Sequence, residues 1–252
     1  MSVLALDRPA PGVARLTISR ESKRNALDRS ILDGLATELP RLDARCVILT
    51  GAGAVFSAGY DITNLEAEEA AELLTHPFEV ALAALDAVPV PVVAAMNGSA
   101  FGGGLELALA CDLRVCAAGA SLAMPPARLG VVYSPTGLRR FVDAIGAART
   151  RELFLTARAL DAAEALAWGL VNEVVPREAV AERAIEVAAR IAGLAPLSLR
   201  GTKRVLQALD MPLDPAVEAE LVALREAAFR SEDFAEGVRA FIEKRPPEWR
   251  GR

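Results

Sequence analysis

The chain has 252 residues, 53% of them hydrophobic and 24% charged, with 18 Gly and 15 Pro, a composition that excludes the disordered and fibrous classes. A formal charge of -5 supplies no basic face to neutralise duplex phosphates, which excludes duplex nucleic acid as a partner. No segment reaches the ~18 uninterrupted apolar residues of a membrane helix, and Asp7 and Arg8 interrupt the opening stretch where a leader needs its apolar run, so the chain reads as soluble and cytoplasmic with no membrane partner.

In chain order, residues 3–6 and 13–19 read as strands joined by a turn containing Pro and Gly. A helix begins near Asp28 and is stopped by Pro40. The apolar run Cys46–Thr50, followed by Gly51-Ala52-Gly53, has the pattern of a buried strand ending in a turn. A second cycle follows, with a helix over about 66–86 and a strand over 90–96. His76, the one histidine, precedes Pro77 in this helix; with no Ser or Cys nucleophile motif beside it, it reads as a surface or capping residue. Strands alternating with helices imply a largely parallel α/β layout. From about 147 the chain turns mainly helical, with capping-box spacing at Asp161 and Glu164 and a stop at Gly169. Val171–Val175 is the last expected strand. Apolar stripes in 217–229 and 234–242 place a boundary near 195. It divides a core, 1–195, from a helical region, 196–252, that is too small to bury its own apolar faces and packs on a neighbouring subunit or on the core.

Cys46, Cys111 and Cys116 lie in apolar contexts without CxxC spacing and are expected as buried reduced thiols. No cluster has metal-ligand spacing. The chemistry is concentrated instead in Asn97-Gly-Ser-Ala-Phe-Gly-Gly-Gly-Leu-Glu106, where a buried strand ends and three glycines open a helix. The glycines weaken the helix start, yet they leave amide N–H groups unshielded where the helix dipole favours developing negative charge. Tight packing without a ligand explains the same glycines equally well. Glu106, inside an otherwise apolar run, is a costly ionisable group unless it is paired or functional. In Val55-Phe-Ser-Ala-Gly-Tyr-Asp-Ile62 the break at Gly59 exposes the amide of Tyr60, a second donor for an oxyanion.

Together with Cys111-Asp112 and Ala165-Leu-Ala-Trp-Gly-Leu-Val-Asn-Glu-Val-Val175, these stretches resemble the enoyl-CoA hydratase/isomerase (crotonase) superfamily over nearly the whole chain. The resemblance implies a spiral of ββα units with a C-terminal helical trimerisation region, assembled as a homotrimer or a dimer of trimers. It implies an acyl-CoA thioester as substrate, coenzyme A being part of the substrate rather than a cofactor. The thioester oxygen would be held by the backbone amides of Tyr60 and Gly103; such preorganised donors are typically worth a few kcal/mol of barrier each. The coenzyme A moiety would lie against Lys23, Arg24, Ala58, Asp61 and Ile62, with Lys244 reaching it from a neighbouring subunit.

Hydratases of this family use two glutamates. Glu106 matches the first, but the position of the second is Pro126, which can neither give nor take a proton. The loop around Tyr133 and the tail after Arg230 look most like the methylmalonyl-CoA decarboxylase branch, in which a tyrosine at the Tyr133 position contacts the substrate carboxylate. The chain departs from that branch at Pro125, where a hydroxyl residue is expected, and at Tyr60, where a histidine is expected. Loss of CO2 from a malonyl thioester generates the enolate without a base and needs an apolar wall, expected from Met124, Pro126 and Val132. The first expectation is therefore decarboxylation of a short branched malonyl-CoA. The alternatives are a hydratase or isomerase using Glu106 alone and a non-catalytic acyl-CoA-binding protein.

Overall fold

A computed structural model describes residues 3–61, 67–209, 216–217, 220, 222–223, 227 and 230–252. Six strands form the main sheet, in spatial order β1 (Leu4–Ala10), β2 (Val13–Ile18), β3 (Cys46–Gly51), β4 (Val92–Met96), β6 (Leu113–Ala117) and β9 (Glu173–Val175). Only the β1–β2 hairpin is antiparallel; every other neighbour in this sheet runs parallel. A smaller sheet carries β5 (Ala100–Phe101), β7 (Ser121–Ala123) and β8 (Ala159–Asp161).

The chain moves between these layers as a spiral. Four of the main-sheet strands, β2, β3, β4 and β6, are each followed by a short extended segment in the second layer and then by a helix. Thus β2 leads to the bridge at Leu27 and to α1 (Arg29–Glu38), and β3 leads to the segment 57–60 and, further on, to α2 (Ala67–Asp86). In the same way β4 leads to β5 and α3 (Gly103–Leu109), and β6 leads to β7. The second layer is continuous through bridges of Leu27 with Tyr60 and Ser57 with Ala100, and through the pairing of Ala100 with Leu122. This is the ββα spiral implied by the resemblance.

Local chemistry accounts for the elements. Asp28 caps α1 by accepting the N–H of Ile31, and the helix buries Ile31, Leu32 and Leu35. Every residue of β4 is buried, as a strand covered on both faces requires. One cover is α6 (Val180–Ala192), whose buried Val180, Ala184, Ala188 and Ala192 recur every fourth residue, so that small side chains let the helix lie close to β3 and β4. The expected capping box at Asp161 and Glu164 is formed at the start of α5 (Ala162–Trp168), and Gly169 ends that helix in the left-handed conformation.

Several boundaries differ from expectation. The helical half begins at Pro135 rather than near 147, because Ser134 caps α4 (Pro135–Thr156), which breaks at Gly146. α3 ends at Leu109, and the buried Arg114 guanidinium donates to the carbonyls of Leu109 and Cys111 just beyond it. β5, β6, β7 and β8 were not expected; β5, β7 and β8 have only two or three residues, too few to show a period in the sequence. α7 (Pro196–Leu209) is tied to the core by Lys203, which is buried and donates to Val90 O and Asp112 Oδ2. The last helix is Glu232–Glu243, covering the expected 234–242 stripe, whereas most of the 217–229 stripe lies outside the described residues. All three cysteines are buried and unpaired, and burial pushes the Cys46 thiol up to about 12 and that of Cys116 to about 11. Among the described residues no helix is long and apolar enough to cross a membrane, and no His, Cys, Asp and Glu group could hold a metal ion.

Candidate active site

The segments after β3 and β4 leave the same end of the main sheet, where parallel α/β sheets place their ligand crevices. Their relative position is set by hydrogen bonds in the second layer. Leu27 N–H donates to Gly59 O, and Asp61 N–H donates to Leu27 O, which holds the Gly59–Tyr60 backbone on one side. On the other side Phe101 N–H donates to Ser57 O and Gly102 N–H to Ala123 O. The amides of Tyr60 and Gly103 are left with no acceptor among the described residues. They are close together, since a Cβ built on Gly59 would lie 3.5 Å from the Gly103 nitrogen.

The glycine run has more than one cause. Gly102 sits at φ +51° at the helix start, a region that side chains disfavour. A Cβ on Gly104 would meet Ser57 at 2.6 Å, and one on Gly103 would meet the Tyr60 ring at 2.7 Å. Close packing therefore explains Gly103 and Gly104, and that same packing is what brings the two free amides side by side.

Glu106 lies on the first turn of α3 with only 2% of its surface exposed. Its Oε2 accepts the hydroxyl of Tyr133, at the entry to α4. Burial raises the carboxyl above its ordinary range, against the opposing influence of the Tyr133 hydrogen bond and of Arg140. Both phenols that face it, Tyr133 and Tyr60, are likewise raised by burial and perturb each other. Tyr133 packs edge-on against Phe154, with ring centroids 5.4 Å apart, and Tyr60 against Phe78 at 4.8 Å. The site thus offers an oxyanion cradle of two amides beside one buried carboxyl that shares a proton with a phenol.

Of the expected wall, Met124 and Pro126 are buried. Val132 is a correction: it is 94% exposed and lines nothing in this chain, because the 127–132 loop carries its side chain outward. Lys23, Arg24 and Ala58 are brought together, Ala58 N–H donating to Arg24 O, with both basic side chains exposed. Asp61 joins them but is held by Arg20 at 2.6 Å. Ile62 lies outside the described residues, as does the side chain of His76. Lys244, expected to reach the coenzyme from a neighbouring subunit, lies away from this group in its own chain. The tail that follows it docks at the other end of the sheet, where Trp249 Nε1 donates to Gly193 O and Arg45 donates to Trp249 O, so this chain does not bring Lys244 to Lys23 and Arg24.

Two supporting residues were not singled out in the sequence. Asn25 is fully buried at φ +55°. Its Oδ1 accepts Arg20 N–H, and its Nδ2 donates to Ala52 O and Val55 O. Ser57 donates its hydroxyl to Asn25 O and accepts Gly59 N–H. Together they fix the turn that presents the Tyr60 amide. An Asn among basic residues ahead of a helix cap was the available signal, since Asn tolerates the left-handed region.

The pattern of the enoyl-CoA hydratase/isomerase family matches residues 9–252. Carnitinyl-CoA dehydratase of Citrobacter koseri is 39% identical over 83% of each chain, and that of Salmonella typhi is 36% identical over 99% of this chain and 98% of its own. The crystal structure of enoyl-CoA hydratase from Bacillus anthracis superposes with a TM-score of 0.92 at 33% identity, covering 99% of this chain and 100% of that one.

Proposed function

Because this chain belongs to the enoyl-CoA hydratase/isomerase family, we propose that it is an acyl-CoA lyase that adds water to, or removes it from, a short acyl thioester with Glu106 as its one catalytic carboxylate. The observation that carries this reading is the buried Glu106–Tyr133 pair beside the two unpaired amides of Tyr60 and Gly103. In the dehydration direction the Glu106 carboxylate takes the proton from the carbon next to the thioester. The electrons move onto the thioester oxygen, which the two amides receive. Glu106 then gives that proton to the departing β-hydroxyl, and water leaves as the double bond forms. One carboxyl serves as base and acid in turn. A carboxyl raised by burial is a stronger base than an exposed one, and as base it then holds the proton it must return. Dehydratases and hydratases among the relatives support this class.

A second reading, decarboxylation of a short branched malonyl thioester such as methylmalonyl-CoA, is favoured by Pro126, which is buried where a second carboxylate would be needed. In that reaction Tyr133 would orient the substrate carboxylate, but its hydroxyl is engaged by Glu106 and would have to exchange partners. Hydration is therefore preferred. The purified protein is assayed for water addition to crotonyl-CoA and for CO2 release from methylmalonyl-CoA. Hydration that falls by about 100- to 10,000-fold in Glu106→Gln supports the first reading. CO2 release without hydration would replace it with the second, and turnover of no thioester would leave a non-catalytic acyl-CoA-binding protein.

A further inference from the structure

The backbone of Tyr60 supplies an oxyanion amide in the reading above, but its side chain has been given no part in it. Its ring lies against the Cα of Gly103, so the residue that donates one amide also covers the residue that donates the other. The ring cannot swing aside freely. Phe78, itself buried on α2, meets it edge-on at an interplanar angle of 79°, and the backbone on both sides is pinned by the Leu27 hydrogen bonds. Its phenol faces that of Tyr133, whose hydroxyl bonds Glu106. The hydroxyl end of Tyr60 therefore lies beside Gly103 and toward the Glu106–Tyr133 pair. An acyl chain whose carbonyl sits on the Tyr60 and Gly103 amides, and whose next carbons face Glu106, has to run along this ring.

We infer that the Tyr60 side chain sets the length of acyl chain the site admits, its ring filling the space that a longer chain would take. The inference rests on the proposed binding of an acyl thioester at the two amides. It makes Tyr60 a specificity-determining residue, and it gives the glycine at position 103 a further reason, since any side chain there would compete with the ring for the same space.

The test measures dissociation constants of saturated acyl-CoA esters from acetyl to decanoyl, by calorimetry, for the wild type and for Tyr60→Phe, Tyr60→Leu and Tyr60→Ala. Saturated esters report binding without chemistry. Wild type and Tyr60→Phe are expected to gain nothing beyond butyryl, because the ring is present in both. Tyr60→Ala is expected to gain about fourfold in affinity per added methylene beyond butyryl until the vacated space is filled, with Tyr60→Leu intermediate. Should Tyr60→Ala fail to fold by circular dichroism, Tyr60→Leu, which keeps an apolar contact for Phe78, carries the test. An unchanged chain-length profile in the Ala or Leu variants, or a Phe variant that already accepts long chains, overturns the inference. Failure of the lyase reading is a separate result: the wild type would turn over no thioester while the binding series still reports the chain-length limit.

Discussion

Tyr133→Phe isolates the hydroxyl that partners Glu106. The ring stays, so its edge contact with Phe154 at 5.4 Å is kept and the packing at the head of α4 is not disturbed. What is lost is a hydrogen bond to a carboxyl with 2% of its surface exposed, where water cannot readily replace it. A bond to a charged group is worth about 1.5–3 kcal/mol, which converts to roughly a 10- to 150-fold fall in kcat/KM if the bond is needed in the transition state. The direction of the pH profile is a second readout. Burial raises the Glu106 carboxyl, and the Tyr133 bond opposes that rise, so the variant's basic form should appear only at higher pH and the acid limb of kcat/KM should move up. The assay is crotonyl-CoA hydration followed across the acid and neutral range. A Phe variant within twofold of wild type and with an unmoved limb would refute the role assigned to the pair.

The remaining predictions use the same site. Since burial lifts the Glu106 carboxyl above its unfolded value, the folded chain holds that proton to higher pH, and the stability this contributes is complete below the unfolded value and lost as pH rises through the folded one. Glu106→Gln should therefore melt above wild type at neutral pH, with the advantage disappearing below the ordinary carboxylate range; equal differences at both pH values would contradict it. Gly103→Ala places a Cβ 2.7 Å from the Tyr60 ring, so kcat/KM should fall at least tenfold and the unfolding free energy by about 1–3 kcal/mol, and an unimpaired variant would show that the ring yields freely. Asn25→Ala removes three buried hydrogen bonds and puts Ala in the left-handed region, a loss on the order of 3 kcal/mol in denaturant unfolding. A loss below about 1 kcal/mol would mean that the 20–25 turn is not held as described.

Much of the architecture was legible because it depends on local pattern. Asp28 before an apolar-periodic run marks a helix start, Cys46–Thr50 before glycines marks a buried strand, and Asp161 with Glu164 marks a capping box; each is decided by backbone groups within one turn of the residue concerned. The four-residue spacing of Val180, Ala184, Ala188 and Ala192 carries the same kind of signal for α6. Two- and three-residue strands such as β5 and β7 carry none, since their pairing depends on neighbours brought from more than twenty residues away.

At the site, residue type alone marked Glu106, because an ionisable group within Leu105-Glu-Leu-Ala-Leu109 is costly without a purpose, whereas it took the family resemblance to mark Pro126 as the place of a second carboxylate. The motif order identified the family and the two amides. Tertiary structure decided what these residues meet. Val132 turned outward, Asp61 was held by Arg20, and Tyr133 closed on Glu106 rather than standing free. The side chain of Tyr60, two turns of the spiral away from Tyr133, came to lie against Gly103 and toward the Tyr133 phenol. Patterns along a chain encode which groups are buried and which backbone turns are possible, whereas the direction of a side chain depends on atoms contributed by distant segments, and these become neighbours only once the core has closed around them.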